Sequence, residues 1–409
     1  MTTQFITKRV SKTLFIILIA VCSGAMLAPV HAQKPQVTKA KTQYQVSTLP
    51  DLGGTSSGGN SINDQSWVAG YSRMLDRNRH AILWINSLLS DLGTLGGPNS
   101  SVTWGVKNTA GIIVGISQTA DPEPLGEAWS SAAFYSTPNN IGYINLGFVW
   151  QNNQMRGLLP FSGGDNSFTT GANNFGQAVG WAENGVHDTN CVSPQVLQFR
   201  PAVWTLGPPD NIQDLPLIAG DSSGAATAIN DTGQIVGISG VCDQAVGRHT
   251  AKHAVLWENG TVTDIYPNPP APWWNTPTAI NQRGDVVGFA GDPAFVEGDV
   301  LHAFMWTRED GIRSLKPLKG RTPPHVDSEA YGINEARQVV GVSCDADQLD
   351  CRAVIWDHGN TPTDLNDVKG SYSGVLLLAR DINNKGEITG RALDPTGSLV
   401  AYLAVPISH

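Results

Sequence analysis

Three aspartates near the C-terminal end of the chain carry the side chains that a hard cation prefers. Asp345, Asp347 and Asp350 lie between Cys344 and Cys351, and clustered carboxylate oxygens can bind Ca²⁺. The spacing Asp-x-Asp-x-x-Asp lacks the glycine and the distal glutamate of an EF-hand loop, and short acidic loops are commonly only solvated. Ca²⁺ is therefore the only cofactor that the sequence leaves open.

Three histidines recur in register, at His80, His253 and His302. Three such residues could suggest a metal site, but they begin equivalent segments of separate repeats. A side chain that hydrogen-bonds within its own repeat is the favoured interpretation.

Acids and bases that could meet at one surface are scattered along the chain. The candidates are Asp76, Glu127, His187, His249 and His325. The sequence has no His-Glu-x-x-His motif and no phosphate-binding loop. Because any chain of 409 residues offers a comparable set, no catalytic residue is predicted without geometry.

The elements that must position these residues belong to a repeat. The phrase Ile-Asn-Asp-Thr-Gly-Gln-Ile-Val-Gly at 229–237 has six further copies. The closing glycines of the seven copies are Gly70, Gly115, Gly180, Gly237, Gly288, Gly341 and Gly390. A period near 50 residues with strand-like segments indicates a repeat architecture.

Residues 222–268 show how one repeat divides into four strands. Strand patterns at 225–230 and 234–238 flank a turn signal, Asp-Thr-Gly, and those at 253–257 and 261–265 flank Glu-Asn-Gly. Short β-branched segments at this spacing indicate an all-β fold. The recurrent tryptophan that ends the third strand, Trp257 in this repeat, is expected to pack between neighbouring repeats.

The order of the repeated phrases predicts that the repeats close into a ring. The chain opens with a fourth-strand phrase at 49–54 and closes on a third strand at 400–404. The N-terminal segment, 44–50, would complete the last unit. We predict a seven-bladed β-propeller of four-stranded blades, which leaves only short, protected sheet edges. The predicted blades are 55–97, 100–163, 166–219, 222–268, 275–319, 327–370, and 375–405 together with 44–52.

The N-terminal segment has the features of a secretory signal peptide. Three basic residues precede an apolar run, and Val-His-Ala at 30–32 resembles a cleavage site. We predict a signal peptide at 1–32, a polar linker at 33–43 and one propeller domain at 44–405. Losing the three basic residues changes the net charge from −9 to −12. A protein that acidic is not suited to nucleic acid or anionic membranes, and no membrane span is predicted.

Four cysteines remain after the signal peptide. An even number in an oxidising compartment favours disulfides, and neither pair has the spacing of a zinc site. Cys344 and Cys351 close a loop between two predicted strands, while Cys191 and Cys242 occupy equivalent places in neighbouring repeats. We expect a Cys344–Cys351 bridge and take Cys191 and Cys242 as disulfide candidates whose connectivity the sequence leaves open. We expect a periplasmic or extracellular monomer.

Tight turns on one side of the predicted ring place all the long connections on the other side. We call this second side the long-loop face; its connections are 71–79, 116–145, 181–198, 238–252, 289–301, 342–351 and 391–399, together with fourth-to-first links such as 266–275. Variable loops on a rigid scaffold are where binding usually occurs. Four tryptophans on these loops lie outside the repeat and could contact a ligand: Trp129, Trp181, Trp273 and Trp274. The alternative is that they only cover the rims of the blades.

The repeated phrases resemble the extracellular HAF repeat family, named for the strand that stands here as His302-Ala303-Phe304. Its companion phrases occur as Asp-Leu-Gly-Thr-Leu-Gly-Gly at 91–97 and the Ile-Asn-x-x-Gly-x-Val-Val-Gly unit. The resemblance covers about residues 44–404, with departures at 118–145 and 263–275. It implies an exported bacterial repeat protein and supplies no catalytic residues.

Three functions follow from these observations as hypotheses. The first is an exported, non-catalytic propeller that binds a protein or a glycan through the long-loop face. The second is a secreted hydrolase or lyase, acting on polysaccharide or peptide at the mouth of the propeller channel. The third is a structural component of a cell surface or matrix. A converging acid and base at the channel mouth would favour the enzyme, and an aromatic surface without such a pair would favour binding.

Overall fold

A computed structural model describes the chain at residues 41–127, 142–242, 251–267, 274–292 and 300–407. The predicted signal peptide, Trp129, Trp273 and His249 lie outside these residues.

The described residues form 28 strands in chain order, which make seven blades. Blade 1 has β2 (Ser57–Ile62), β3 (Val68–Arg73), β4 (Arg79–Ile85) and β5 (Leu88–Asp91). Blade 2 has β6 (Gly96–Ser101), β7 (Ile113–Pro122), β8 (Tyr143–Gln151) and β9 (Gln154–Leu158). Blade 3 has β10 (Ser167–Ala172), β11 (Gln177–His187), β12 (Leu197–Thr205) and β13 (Asn211–Asp214). Blade 4 has β14 (Ser223–Ile229), β15 (Ile235–Gly240), β16 (His253–Glu258) and β17 (Thr261–Asp264).

The last three blades follow the same plan. Blade 5 has β18 (Trp274–Ile280), β19 (Val286–Asp292), β20 (Val300–Thr307) and β21 (Gly311–Leu315). Blade 6 has β22 (His325–Ile333), β23 (Gln338–Asp345), β24 (Cys351–Asp357) and β25 (Thr363–Asp364), followed by a 3₁₀ turn at Leu365–Asp367. Blade 7 has β26 (Val375–Ile382), β27 (Ile388–Leu393), β28 (Leu399–Pro406) and the N-terminal strand β1 (Tyr44–Thr48).

The ring closes as predicted, with the N-terminal strand as the fourth strand of the last blade. β1 pairs antiparallel with β28 from Tyr44 opposite Pro406 to Thr48 opposite Tyr402. Each blade is an antiparallel sheet in which the first strand in chain order lies at one edge. First strands of neighbouring blades contact one another around a central channel at five interfaces, from blade 3 to blade 7 and between blades 7 and 1. The prediction of a seven-bladed, four-stranded propeller is therefore confirmed.

A bulge recurs in the first strand of six blades. In blade 4 the pairing with the second strand skips from Ala226 to Ala228, so that Thr227 has no partner in the ladder. The equivalent residue, three positions before the recurrent asparagine, is skipped in blades 1, 3, 5, 6 and 7: Asn60, Thr170, Thr278, Tyr331 and Arg380. A bulge re-aims the side chain that it carries. In each of these blades the bulge therefore leaves one residue beside the channel that is not paired with the second strand.

The recurrent tryptophans pack between blades, as the sequence predicts. The Trp84, Trp204, Trp257 and Trp356 side chains are at most 2% exposed. Each indole Nε1 donates to a backbone carbonyl of the preceding fourth-strand segment, and in Trp204 the acceptor is the Leu159 oxygen at 3.0 Å. The closing glycine of the phrase allows the first two strands to approach, because a Cβ at Gly237 would lie 2.0 Å from the Ala225 oxygen.

Two disulfides are present. Cys344 and Cys351 link the ends of β23 and β24, while Cys191 and Cys242 join a connection of blade 3 to the segment that follows β15 in blade 4. Across the described residues, the structure contains no helix with the length and apolar character needed to cross a bilayer.

Candidate functional site

The two ends of the channel differ in how their polar groups are used. At the end formed by the Ile-Asn turns, the amide nitrogen of each recurrent asparagine donates to a backbone carbonyl of the next blade. In six blades the acceptor is the equivalent asparagine, as from Asn230 to Asn281 at 3.0 Å; Asn108 donates to Ala172 instead. The same side chain holds its own turn, because Asn230 Oδ1 accepts from the backbone of Thr232 and Gln234.

A second ring of hydrogen bonds follows at the next residue of each turn. Asn174 donates to Asp231 through both its backbone and its side-chain amide, at 2.9 and 2.8 Å. Equivalent backbone-to-side-chain bonds join Asp231 to Gln282, Gln282 to Glu335, Glu335 to Asn384 and Asn384 to Asp64. A cavity of about 170 Å³ at this end is lined mainly by these residues. Since they bond one another, we interpret this end as structural.

A partly buried ion pair links blades 2 and 7 near the turn end of the channel. Lys107 of blade 2 pairs with Asp381 of blade 7, whose side chain is 1% exposed. The Asp381 carboxylate also accepts from the backbone N–H groups of Ile62 and Ile382, both at 2.9 Å. Burial raises the pKa of this carboxyl group.

The long-loop end of the channel opens into a cavity of about 370 Å³, which we call the mouth cavity. The described residues that line it are Trp104, Trp274, Thr276, Thr278, Phe289, Leu301, Glu329, Tyr331, Gln348 and Arg380. An adjoining cavity of about 200 Å³ shares Glu329, Tyr331 and Gln348 and is lined in addition by Arg391. The mouth cavity has the size of a small-ligand site.

Aromatic rings form a continuous wall of the mouth cavity. Trp274 and Phe289 meet edge to face, with centroids 5.9 Å apart, and Phe289 meets Tyr331 in the same way at 6.0 Å. Trp104 of blade 2 lines the cavity as a separate element. It is held by edge contacts to Phe168 and Trp181, with centroids 6.4 and 6.3 Å away.

The polar groups of the mouth cavity come from the first strands of blades 6 and 7. The Tyr331 hydroxyl donates to Glu329 Oε2 at 2.6 Å. The guanidinium of Arg380 lies over the Tyr331 ring, 4.3 Å from its centroid. Burial and the Glu329 carboxylate raise the pKa of Tyr331 well above its usual value. The phenol therefore stays neutral and acts as a hydrogen-bond donor instead of a base.

The two predicted ligand-contacting tryptophans that the structure describes, Trp274 and Trp181, lie in different environments. Trp274 lines the mouth cavity but is only 3% exposed. The expectation that Trp181 lies exposed on a loop is wrong: β11 continues to His187, and Trp181 is fully buried, stacked on Phe168 with centroids 4.2 Å apart. Trp181 lies opposite Phe168 in the pairing of β10 and β11 and packs in a buried cluster with Phe199 and Ile238.

The predicted acidic loop does not gather its carboxylates around a common point. Asp345 Oδ1 accepts from the backbone N–H groups of Leu349 and Asp350, which closes the turn. Asp350 pairs with Arg321, Arg352 and His325. Among the described residues, the one group of three potential ligand side chains that converges is Asp188, Cys191 and Cys242, and these two cysteines form a disulfide.

Of the scattered acids and bases, the four that lie in the described residues do not line the mouth cavity. Asp76 bonds Asn78 in an exposed turn, His187 is exposed at the end of β11, and His325 is buried against Ser343 and Asp350. Of the recurrent histidines, His80 bonds Asp91 and His253 bonds Asp264 on the fourth strand of the same blade. The prediction of a bond within the blade is confirmed for these two.

Two segments fit the Gly-x-Ser-x-Gly pattern of serine hydrolases, at 54–58 and 220–224. That motif places its serine on a sharp strand-to-helix turn. Here each segment instead leads into the first strand of a blade. The pattern therefore gives no support to a nucleophilic serine.

Glu127 belongs to a buried carboxyl cluster at the rim of blades 2 and 3. The side-chain amide of Gln195 donates to Glu127 Oε1 and to Glu183 Oε1, at 3.3 and 2.9 Å. Glu127 is 1% exposed and Glu183 is fully buried. Burial, together with the Glu127 carboxylate, raises the pKa of Glu183 from 4.5 to about 9.

This raised pKa predicts how stability depends on pH. In the folded protein Glu183 keeps its proton up to about pH 9, whereas an unfolded chain loses it near pH 4.5. The free energy of unfolding should therefore fall as pH rises through this window, by at most about 1.4 kcal/mol per pH unit for one proton. Glu183→Gln stays neutral, so its melting temperature should fall less between pH 5 and pH 8 than that of the wild type. Calorimetry of both proteins measures this.

Glu309→Gln is the matched control, because the Glu309 side chain is 72% exposed. This variant should follow the wild type across the same pH range. If the Glu183 and Glu309 variants have the same pH profile, Glu183 is not the group that titrates.

Sequence reasoning missed Glu329, Tyr331 and Arg380 because it looked for function only on the long loops. A signal was available at the bulge position. Three positions before the recurrent asparagine, blades 3, 4 and 5 have threonine, whereas blades 6 and 7 have Tyr331 and Arg380. A large side chain at this position, where the other blades have a small one, indicates that blades 6 and 7 line the channel differently from blades 3, 4 and 5.

No protein-family model and no curated protein matches the chain. Among solved structures, a gluconolactonase from Xanthomonas campestris is similar over 90% of this chain and 91% of its own, at 8% sequence identity and a TM-score of 0.38. That likeness carries no information about chemistry, so the site is interpreted from its own residues.

Proposed function

We propose that the protein is an exported binding protein that holds a glycan in the mouth cavity. The observation that carries the proposal is the aromatic wall of Trp274, Phe289 and Tyr331, which lies beside the Tyr331 hydroxyl and the Glu329 carboxylate. Trp104 adds a separate aromatic side chain to the same cavity. Sugar rings present apolar C–H faces and hydroxyl groups together, and an aromatic wall beside hydrogen-bonding groups complements both. The two disulfides are compatible with an oxidising compartment outside the cytoplasm.

The composition of the mouth cavity favours binding over glycoside hydrolysis. Hydrolysis of a glycosidic bond usually requires two carboxyl groups flanking the bond. Among the described lining residues of both cavities, Glu329 is the one carboxylate. The high pKa of Tyr331 also opposes a phenolate base, which a lyase reaction at this site would need.

Calorimetric titration with a panel of oligosaccharides tests the proposal. Phe289→Ala should weaken binding about tenfold or more, because it removes the centre of the aromatic wall. Phe175→Ala is the control, since Phe175 is an aromatic residue that is 73% exposed on a turn at the other end of the channel. Tyr331→Phe retains the ring and removes only the hydroxyl donor.

Three outcomes would contradict the proposal. One is that no oligosaccharide binds the wild type, and another is that Phe289→Ala and Phe175→Ala bind equally well. The third is that the protein cleaves an oligosaccharide and Glu329→Gln abolishes the cleavage, which would identify a hydrolase or lyase. Melting temperatures of all variants confirm that a loss of binding is not a loss of folding.

A further inference from the structure

Two arginines at the channel mouth, Arg380 and Arg391, differ from seven of the other eleven arginines in the described residues. Seven others have a carboxylate within 4 Å: Arg156, Arg200, Arg283, Arg308, Arg321, Arg337 and Arg352. Arg380 and Arg391 form no ion pair or side-chain hydrogen bond with the described residues; each makes only ring contacts, to Tyr331 and Tyr71 respectively. In a chain with 35 acidic and 26 basic residues, an arginine without a carboxylate is not explained by a shortage of acids.

Of the two arginines, Arg380 gives the stronger evidence for a missing acceptor. Its Nε is enclosed and has no hydrogen-bond partner. A guanidinium carries five N–H donors in a planar fork and accepts no hydrogen bonds, so an enclosed, unbonded donor lacks the acceptor that its environment favours. Stacking on Tyr331 holds the guanidinium plane in place without using its donors.

The two arginines line adjoining cavities. Arg380 lines the mouth cavity and Arg391 lines the adjoining cavity, and both cavities are bounded by Glu329 and Tyr331. Neither guanidinium is within ion-pair distance of Glu329 in the described part of the chain. Among the described residues, the linings of the two cavities therefore carry two positive charges and one carboxylate, in a protein whose net charge is negative.

We infer that the ligand of the mouth cavity is an acidic glycan, a sugar chain whose uronic-acid carboxylate is bound by Arg380 with help from Arg391. This inference rests on the proposed glycan-binding function and specifies its ligand class. A guanidinium and a carboxylate match in geometry and can form two parallel hydrogen bonds. The sugar ring would lie against the aromatic wall, and the Glu329 carboxylate would accept from a sugar hydroxyl.

The inference is tested by comparing the binding of one oligosaccharide in its charged and its neutral form. Titration calorimetry compares oligogalacturonate with the same oligomer after methyl esterification, which removes the charge and retains the rings. The wild type should bind the free acid at least tenfold more tightly than the ester. Rising ionic strength should weaken binding of the acid and leave binding of the ester unchanged.

Variants test whether the two arginines cause the preference for the charged oligomer. Arg380→Gln should reduce affinity for the acid at least tenfold and have little effect on the ester. Arg391→Gln should act in the same direction with a smaller effect. Arg380→Lys keeps the charge but loses the planar fork, so its affinity should fall between the two. Arg283→Gln is the control, because it removes one positive charge from an exposed side chain on the turn at the opposite end of the channel.

The outcomes separate this inference from the proposed function. If acid and ester bind equally, the inference is wrong and glycan binding stands. If neither binds, and no other oligosaccharide does, the proposed function fails as well. If galacturonate monomer matches the oligomer, the site recognises a small carboxylic acid instead of a chain. Tighter binding of an acidic peptide that Arg380→Gln abolishes would also overturn the inference. Should Arg380→Gln fail to fold, the affinity of Arg391→Gln for the acid and the salt dependence of wild-type binding still test whether the ligand is acidic.

Discussion

Replacing Tyr44 by alanine should lower the free energy of unfolding by about 3–5 kcal/mol, the range for truncating a large buried aromatic residue. Tyr44 is 2% exposed, although it lies only three residues after the first described residue, Lys41. It packs in a cluster that contains Ile355 and Leu365 from blade 6 together with Leu376 and Tyr402 from blade 7. Its backbone N–H donates to the Val368 oxygen at 2.8 Å, so the residue joins both blades to the closing strand.

Gln45→Ala is the matched control for this prediction. Gln45 is the next residue of the same strand and is exposed, so its truncation should change stability by no more than about 0.5 kcal/mol. Guanidinium denaturation followed by circular dichroism compares the variants. If Tyr44→Ala is as stable as Gln45→Ala, the N-terminal strand is not what closes the ring.

Removing one asparagine of the ring at the turn end should have the second-largest effect. Asn230 is 1% exposed, and its side chain both holds its own turn and donates to the Asn281 oxygen of the next blade. Asn230→Ala leaves buried donors of the turn and a buried carbonyl without partners. At about 1 kcal/mol for each lost bond, and more for each buried group left unsatisfied, we expect a loss of about 2–4 kcal/mol.

Thermal and chemical denaturation measure this loss against Asn211→Ala. Asn211 is an exposed residue at the start of β13, on the outer strand of blade 3. Its replacement should be nearly neutral. Equal stability of the two variants would show that the asparagine ring contributes little to the contact between blades.

The predictions made from the repeat succeeded because they depend on local pattern. Alternating β-branched residues, Asn-Asp-x-Gly turns and the recurrent tryptophan each specify a strand or a turn within about ten residues. The offset between the first and last phrases identified the closing strand. The Cys344–Cys351 disulfide followed from cysteines at neighbouring strand ends, whereas the sequence left the connectivity of Cys191 and Cys242 open and the structure shows that they pair.

The mouth cavity could not be predicted in the same way, because its residues are far apart in the chain. Trp104, Phe289, Tyr331 and Arg380 come from four blades and meet only through the curvature of the ring. Burial also reversed the interpretation of Trp181, since the length of β11 decides which way that side chain faces.

The sequence by itself determined the seven repeats, their four strands and the closure of the ring, because each depends on hydrogen-bonding and hydrophobic periodicity along a short segment. The tertiary structure alone decided that each recurrent asparagine also bonds the next blade. It alone decided that bulges in blades 6 and 7 place Tyr331 and Arg380 at the channel. The partners of a polar side chain are whatever the folded ring brings within hydrogen-bond distance, and distance in space is not encoded in local periodicity.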